Sequence, residues 1–427
     1  MSIWNNLYIG ISGLTAHGSA ISVVGDNIAN VSTVGFKASR AGFADVMGGM
    51  VGSSRLGAGV RMEGAQLGFS QGVLQQTGAV LDLAVRGDGF FVVSGNHDGI
   101  PATYYTRDGR FGLDNDGYVI NSEGLRLQGY GFTPAGVQGT QLGDMQLGSM
   151  QSAPLASTRV DMRLNLDSAS VPPAAFLPAD PNNTSNFATS TTVYDSLGNA
   201  HRVDLYFRHG GGGQWDWHAL VDGAELTGGI PGDATEIATG SLTFNTNGAL
   251  DIEAPGLSSA NFLNATQGQA ITFDFGDAIT TDLGTGMAGT TQFAGASTVN
   301  AATQDGFGAG ALVDVVVAEN GVIEGLFSNG QRREVARVAL ATFAAQDKLE
   351  RAGSQLFRES TASGSALVDA AATGARGSVS SGTIEASNVD LTNELVTLIS
   401  FQRAFQANVK TVQTADEMLA EVANLKR

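Results

Sequence analysis

The chain has no cysteine among its 427 residues, so no disulfide can brace it, which suits a cytosolic protein or one exported by a route that avoids disulfide chemistry. Charge is also scarce. Only 15% of residues are charged against 42% apolar, which excludes a charge-rich disordered chain and leaves material for packed cores. Basic residues are the rarer sign, 23 Lys and Arg against 41 Asp and Glu for a net charge of −18. With no basic cluster to neutralise phosphates, no nucleic-acid partner is expected. The start MSIWNNLYIGISGL has no basic leader region, since the first Lys or Arg is Lys37, and no small-residue cleavage site follows it. No cleaved secretory signal is expected. No uninterrupted apolar run approaches the roughly 20 residues that span a bilayer, so no membrane insertion is expected either. Prolines number 9 against 58 glycines, which points to many tight turns. A length of this size predicts two to four domains at roughly 100–200 residues each.

The two ends are patterned alike. From Leu391 to Leu425 there is neither Gly nor Pro, and Ser387, Asn388 and Asp390 stand just before this stretch. This predicts one long helix, about 50 Å at about 1.5 Å per residue. Its apolar positions step by four and three through Leu391, Leu395, Leu398, Phe405, Val409, Val412 and Leu419 to Ala423, with Gln402 and Asp416 as polar breaks. At the other end Leu7, Leu14, Ile21 and Ile28 recur every heptad, with Ile11, Gly18 and Gly25 between them. Both are heptad seams. A helix with a narrow apolar stripe is not stable alone in water. Either each packs on the body of the protein, or the two pair with each other and with neighbouring copies; the length of the C-terminal seam favours the second.

Between the ends, short alternating runs are separated by Asp88-Gly89, Asp108-Gly109, Asp116-Gly117, Asn247-Gly248, Asn320-Gly321 and Asn329-Gly330. Such pairs are hairpin turns, and residues 312–343 read as a three-stranded meander. A composition break with Pro154, Pro172, Pro173, Pro178 and Pro181 falls near 150–190, and a weakly patterned stretch covers 284–310. Both read as crossings between domains. The expected fold is mainly β, with a β-rich inner domain (71–150 and 305–383) carrying an inserted β-rich outer domain (151–304). Paired coiled-coil terminal helices with their linkers (1–70 and 384–427) enclose the whole. Glycine-rich links at Gly48–Gly59 and Gly374–Gly382 are candidate hinges.

Patterns that invite chemistry are weak. LDNDGY at 113–118 lacks the closing Glu of a calcium loop and reads as a hairpin turn. His209 and His218 flank GGGGQWDW without a carboxylate or thiolate partner for zinc. Arg86-Gly87-Asp88 sits in a strand–turn block, and no phosphate-binding glycine loop or nucleophile elbow occurs. Paired acids of a glycosidase arise by chance among 41 carboxylates. No catalytic, cofactor or metal residue is assigned.

The segment VVGDNIANVSTVGFKASRAGFADV (23–46), with Asn27, Asn30, Gly35 and Phe36, resembles the signature of bacterial flagellar rod and hook axial proteins, and IEASNVDLTNELVTLISFQRAFQANVKTVQTADEML (384–419) resembles their C-terminal signature. Residues 72–93 and 104–124 are similar to the family's first β-domain, and TTVYDSLGNAHRVDLYF (191–207) to a segment of the insert that marks hook subunits. The resemblance implies a non-enzymatic subunit that leaves the cell unfolded through the flagellar type III export apparatus. Outside, it polymerises into a curved hollow tube, a universal joint between rod and filament and part of the export channel. Implied partners are further copies of itself, the distal rod protein, the hook cap and the hook–filament junction proteins. The hooks of spirochaetes carry cross-links that need a cysteine, which this chain cannot form.

Overall fold

The computed structural model describes residues 3–51, 54–133, 136–148 and 150–425. Two helices, Ile3–Ala29 and Leu391–Leu425, stand at the ends of a β-rich chain. The second has the predicted bounds. Asp390 caps it, its Oδ1 accepting from the backbone N–H of Thr392 (2.9 Å) and Asn393 (3.2 Å). The first, over Trp4–Ala29, has a mean hydropathy of 1.4 and is long and apolar enough to cross a membrane by composition alone. Asn5, Asn6, Ser12 and His17 keep its apolar run discontinuous.

The chain forms two compact units. The first holds Met1–Met150, Val313–Leu326 and Arg332–Arg427; the second holds Gln151–Leu312 and Phe327–Gln331. Both helices and the sheets built from residues 71–150 and 313–383 share the first unit. The strand Arg332–Thr342 is the hub of its sheet, pairing antiparallel with Val322–Phe327, Arg126–Phe132, Phe90–His97 and Leu367–Ala370. The meander is therefore present, turning at Asn320-Gly321 and Asn329-Gly330, where the glycines take φ of 77° and 78°. An aromatic cluster of Phe69, Phe90, Tyr105, Phe343 and Phe357 fills the core beneath, with ring centroids 4.8–5.9 Å apart and mostly edge-on.

Two short pairings matter most for the site. Ser378–Ser381 pairs with Leu83–Arg86, and Thr383–Glu385 pairs with Leu74–Gln76. They draw the approach to the C-terminal helix alongside the chain that leaves the N-terminal one. They also correct the second expected hinge, because Gly374–Gly382 contains a hydrogen-bonded strand. Gly377 has no room for a side chain, an added Cβ falling on the Arg86 carbonyl. The first expected hinge is corrected likewise: Gly48–Gly59 is the far half of a long antiparallel hairpin, Ser39–Val51 with Ser54–Leu67, whose register runs from Ser39↔Leu67 to Val51↔Ser54. The two arms pair through their backbones in spite of the glycines there. Residues 52–53 lie outside the described residues.

The second unit packs a five-stranded antiparallel meander (Phe187–Tyr194, Ala200–Gly211, Gln214–Asp222, Ala234–Phe244, Leu250–Ser258) against a three-stranded sheet of Thr272–Asp274, Arg159–Asn165 and Thr298–Gln304. Trp217 lies 5.3 and 5.2 Å from Phe273 and Phe275, and both tryptophans of QWDW are buried. The proline-rich stretch is corrected in part. The boundary falls after Met150, but residues 166–186, where four of the five prolines lie, fold back over one face of the meander. There Phe176 stacks on His218 at 3.8 Å and the Arg208 Nε donates to the Ala174 carbonyl at 2.9 Å. Residues 284–310 also lie inside this unit. The turn 327–331 joins it because Ser328 N–H donates to the Ala311 carbonyl (2.9 Å) and Asn329 Nδ2 to that of Gly308 (2.8 Å).

Glu253, on the last strand of the meander, gives this unit a pH dependence. Burial and the nearby Asp274 and Asp282 push its carboxyl up to about 7, against a hydrogen bond from Phe275 N–H and the pull of Arg159. The folded state thus holds a proton that the unfolded chain releases from its ordinary value of 4.5. Stability is full below that value, falls as pH rises toward 7 and then levels. Melting followed by tryptophan fluorescence across this range should show the fall in the parent chain and a flatter profile in Glu253→Gln.

Candidate functional site: the joint of the two termini

The N-terminal helix stops at Asn30, whose N–H bonds the Asp26 carbonyl (3.1 Å) and whose Nδ2 bonds the Asp26 carboxylate (3.0 Å), while Thr33 Oγ1 donates to the Asn30 amide oxygen (3.1 Å). The chain then turns through Gly35 at φ 70°. A Cβ at Gly35 would lie 2.5 Å from the Asp108 backbone nitrogen, so glycine is required twice over. Asn27 is fully buried. Its amide donates to the Ser39 carbonyl (2.7 Å), accepts from Ser39 N–H (2.9 Å) and reaches the Glu394 carboxylate on the C-terminal helix (3.1 Å). Phe36 is buried beneath the Arg351 guanidinium, 5.1 Å above its ring. All four residues of the N-terminal signature therefore lie at one joint.

At its centre is Glu385, fully buried. One carboxylate oxygen accepts from Lys37 Nζ (2.7 Å) and Gly72 N–H (2.7 Å), and the other from the Arg107 guanidinium (3.2 Å). The Glu385 carbonyl accepts from Gly35 N–H (2.7 Å). Lys37 also donates to the Ser70 carbonyl (2.8 Å) and Arg107 to that of Gly87 (2.9 Å). That last bond and Gln71 Oε1 hold the Arg86-Gly87-Asp88 tripeptide as structure. Asn388 adds a second tie, accepting from Ala38 N–H (2.8 Å) and donating to the Gly68 carbonyl (2.8 Å). Arg351 binds the Lys37 carbonyl and the Asp26 carboxylate. Burial pulls the Lys37 ammonium below its ordinary value although Glu385 opposes it, and burial pulls Arg107 down in the same way. Two buried cations thus share one buried anion.

Beyond the joint the helices run antiparallel. Gly10 meets Val412, Gly13 meets Asn408 and Gly18 meets Phe405. Ala16, Ala20, Val24 and Asn27 are the buried face of the first helix and Ala415 is buried on the second. The seam residues flank this contact. Leu7, Leu14, Ile21 and Ile28, and Leu398, Phe405, Val409, Val412 and Leu419, are half-buried, whereas Ile11 is 45% exposed. The small side chains take the line of closest approach because only they let the backbones come together, so the larger ones sit on either side. Leu391 and Leu395 are exposed at 43% and 44%, beside Val396 and Ile399. The side chain of Ala423 lies outside those described. The hairpin covers a further side through rings of His17, Phe43 and Phe401 within 5.9 Å of one another, and Val60 N–H donates to Ser12 Oγ (3.2 Å).

Family models match in four stretches: the flagella basal body rod protein at 7–37, the flagellar hook protein FlgE/F/G D1 domain at 84–161, the flagellar basal body protein FlaE D2 domain at 165–307 and the flagellar basal body rod FlgEFG protein C-terminal at 380–425. The chain is 32% identical over 421 residues to the flagellar hook protein FlgE of Escherichia coli, covering 97% of this chain and 98% of that one. It is 33% identical to that of Salmonella typhimurium (97% and 98% covered) and 33% to that of Treponema pallidum (99% of each). The chain belongs to the flagellar hook protein family. It is a structural subunit of the flagellar hook, in a family that is not one of enzymes.

Within this hook subunit the motifs that invited chemistry serve the fold. Asp114 Oδ1 accepts from Asp116 and Tyr118 N–H, closing the 113–118 turn. His209 pairs across the strands with Trp215 and His218 with Tyr206, which places the two imidazoles on opposite faces of the sheet. Among the described residues no group of three or more His, Cys, Asp or Glu is placed to hold a metal ion. The residues that sequence reasoning missed are Glu385, Arg107, Arg351 and Glu394. A signal for part of the joint was present, since Asp26 and Lys37 are two of the three charges in the first forty residues and both are used here.

Glu385→Gln should lower stability by about 3–5 kcal/mol, because it leaves two buried cations without a counter-charge. Replacing all three groups, as Lys37→Met/Glu385→Gln/Arg107→Met, should recover much of that loss. Urea unfolding midpoints of the two variants check both.

Proposed function

We propose that copies of this chain assemble outside the cell, through their terminal helices, into a curved hollow tube that acts as a universal joint between rod and filament. The observation that carries this reading is apolar surface left over after the helices have paired within the chain. Leu391, Leu395, Val396 and Ile399 on one helix and Trp4, Tyr8 and Ile11 on the other stay 43–68% exposed. Side chains of this size grouped on a helix mark an interaction surface. Contacts of one such stripe with a different surface of the next copy are heterologous and build an open helical polymer. In this reading the seams Leu7, Leu14, Ile21 and Ile28, and Leu391 to Leu419, face neighbouring copies as well as each other.

The terminal part (1–70 and 384–427) then lines the export channel, and the inner (71–150 and 305–383) and inserted (151–304) β-parts carry the contacts outside it. Axial strength comes from the seams, while the acidic β-parts slide past one another as the tube bends in rotation. The distal rod protein, hook cap and hook–filament junction proteins meet its ends. The subunit reaches the tube unfolded through the type III export apparatus without losing a signal peptide, a transit that a cysteine-free chain suits.

The double variant Leu395→Ser/Ile399→Ser should keep the helical circular dichroism of the parent yet form no tubes at concentrations where the parent does; tubes of normal length would contradict the reading. In cells, antibody labelling of the subunit should follow the curved segment beyond the outer surface. Labelling confined to the straight rod would assign the chain to the rod instead.

A further inference from the structure

We infer that the polar joint, and not the apolar seam, sets the axial register between the two terminal helices, with Asn27 and Glu394 as the positioning residues and Glu385 as their anchor. The inference deepens the proposed function, because the stagger of the helix pair fixes where each copy presents its exposed stripe to the next.

The seam cannot define one register by itself. Its first-helix side is a row of small residues, Gly10, Gly13, Ala16 and Ala20, with Gly10 against Val412, Gly13 against Asn408 and nearby Gly18 against Phe405. A slip of one heptad, about 10 Å at about 1.5 Å per residue, sets Gly10 and Gly13 against Leu419 and Ala415 in place of Val412 and Asn408, and a glycine admits either pair. Repetition gives adhesion without address, which is why single buried polar residues specify register in coiled coils. The joint does not repeat. Asn27 satisfies both Ser39 backbone groups and reaches Glu394 with the same amide nitrogen. A slipped helix would carry Glu394 away from that amide. Six residues before the first residue of the helix, Glu385 is fastened by Lys37, Gly72 and Arg107, and Asn388 by Ala38 and Gly68. The start of the C-terminal helix is thus tied to the end of the N-terminal one by groups of 0–2% exposure, Lys37, Arg107, Glu385 and Asn27, whose partners occur once.

The absence of cysteine makes the test direct. Nitroxides at Ser19→Cys and Arg403→Cys, both on exposed positions near the same level of the pair, report the stagger by pulsed electron resonance on full-length monomer. No tube is required, so failure to polymerise and failure of register are read separately. The otherwise unaltered labelled chain should give one narrow distance. Asn27→Ala/Glu394→Ala, combined with Asn388→Ala and the neutralised Lys37→Met/Glu385→Gln/Arg107→Met centre so that the polar ties are removed together, should add a second, longer population, from labels that no longer face each other, while tryptophan-detected melting of the second unit stays unchanged. Leu14→Ala/Ile21→Ala, which thins the seam and keeps the joint, should lower helix melting yet retain the single distance. A single unchanged distance in the combined variant, a second population in the Leu14/Ile21 variant, or a broad distribution in the labelled parent would each overturn the inference.

Discussion

The carboxylate of Glu385, buried between an ammonium and a guanidinium, is the interaction on which the arrangement of the termini depends. Lys37 is 348 residues away in sequence and Arg107 is 278. A buried charge is tolerated only when its partners are present, so none of the three segments can hold this position without the others. Backbone bonds reinforce the same condition, since Gly35 and Gly72 both donate to Glu385. The consequence is that both helix-bearing ends and the inner sheet close as one event.

A division of labour follows. Small residues bring the helices close, flanking Leu, Ile and Phe side chains contribute burial, and the polar joint decides where along the pair they stop. The exposed apolar side chains are then a defined surface at a defined height. The hairpin Ser39–Leu67 adds stiffness where a loose glycine link was expected, because its two arms satisfy each other's backbone groups and lean on the N-terminal helix through His17, Phe43 and Phe401. The chain is therefore paired and not slack at this point.

Much of this was legible in the residues. The C-terminal helix was given by a stretch free of Gly and Pro behind Asp390, and the meander by two Asn-Gly pairs, because both signals are local. The seam was legible as a period but not as a face: a heptad repeat says which residues align, whereas the line of closest approach depends on which side chains are small enough, and that selected Gly10, Gly13, Ala16 and Ala20. The proline-rich 166–186 read as a link because proline excludes strand pairing; it does so equally in a loop folded over a sheet face. Glu385 could not be found from spacing, since its partners come from three distant segments. Its neighbour Asn388 reads in the sequence only as part of a helix start, while its tie to Ala38 and Gly68 is a tertiary fact.

The central claim is that the joint belongs to the same cooperative unit as the inner sheet. Native-state hydrogen exchange tests it most directly, because it reads the opening free energy of single amides. The amides of Gly35, Ser39 and Gly72 should open with the same free energy as those of Phe91 and Leu340 in the sheet, and all should fall together as urea is raised. Joint amides that exchange through a separate, low-energy opening while Phe91 and Leu340 stay protected would contradict the account.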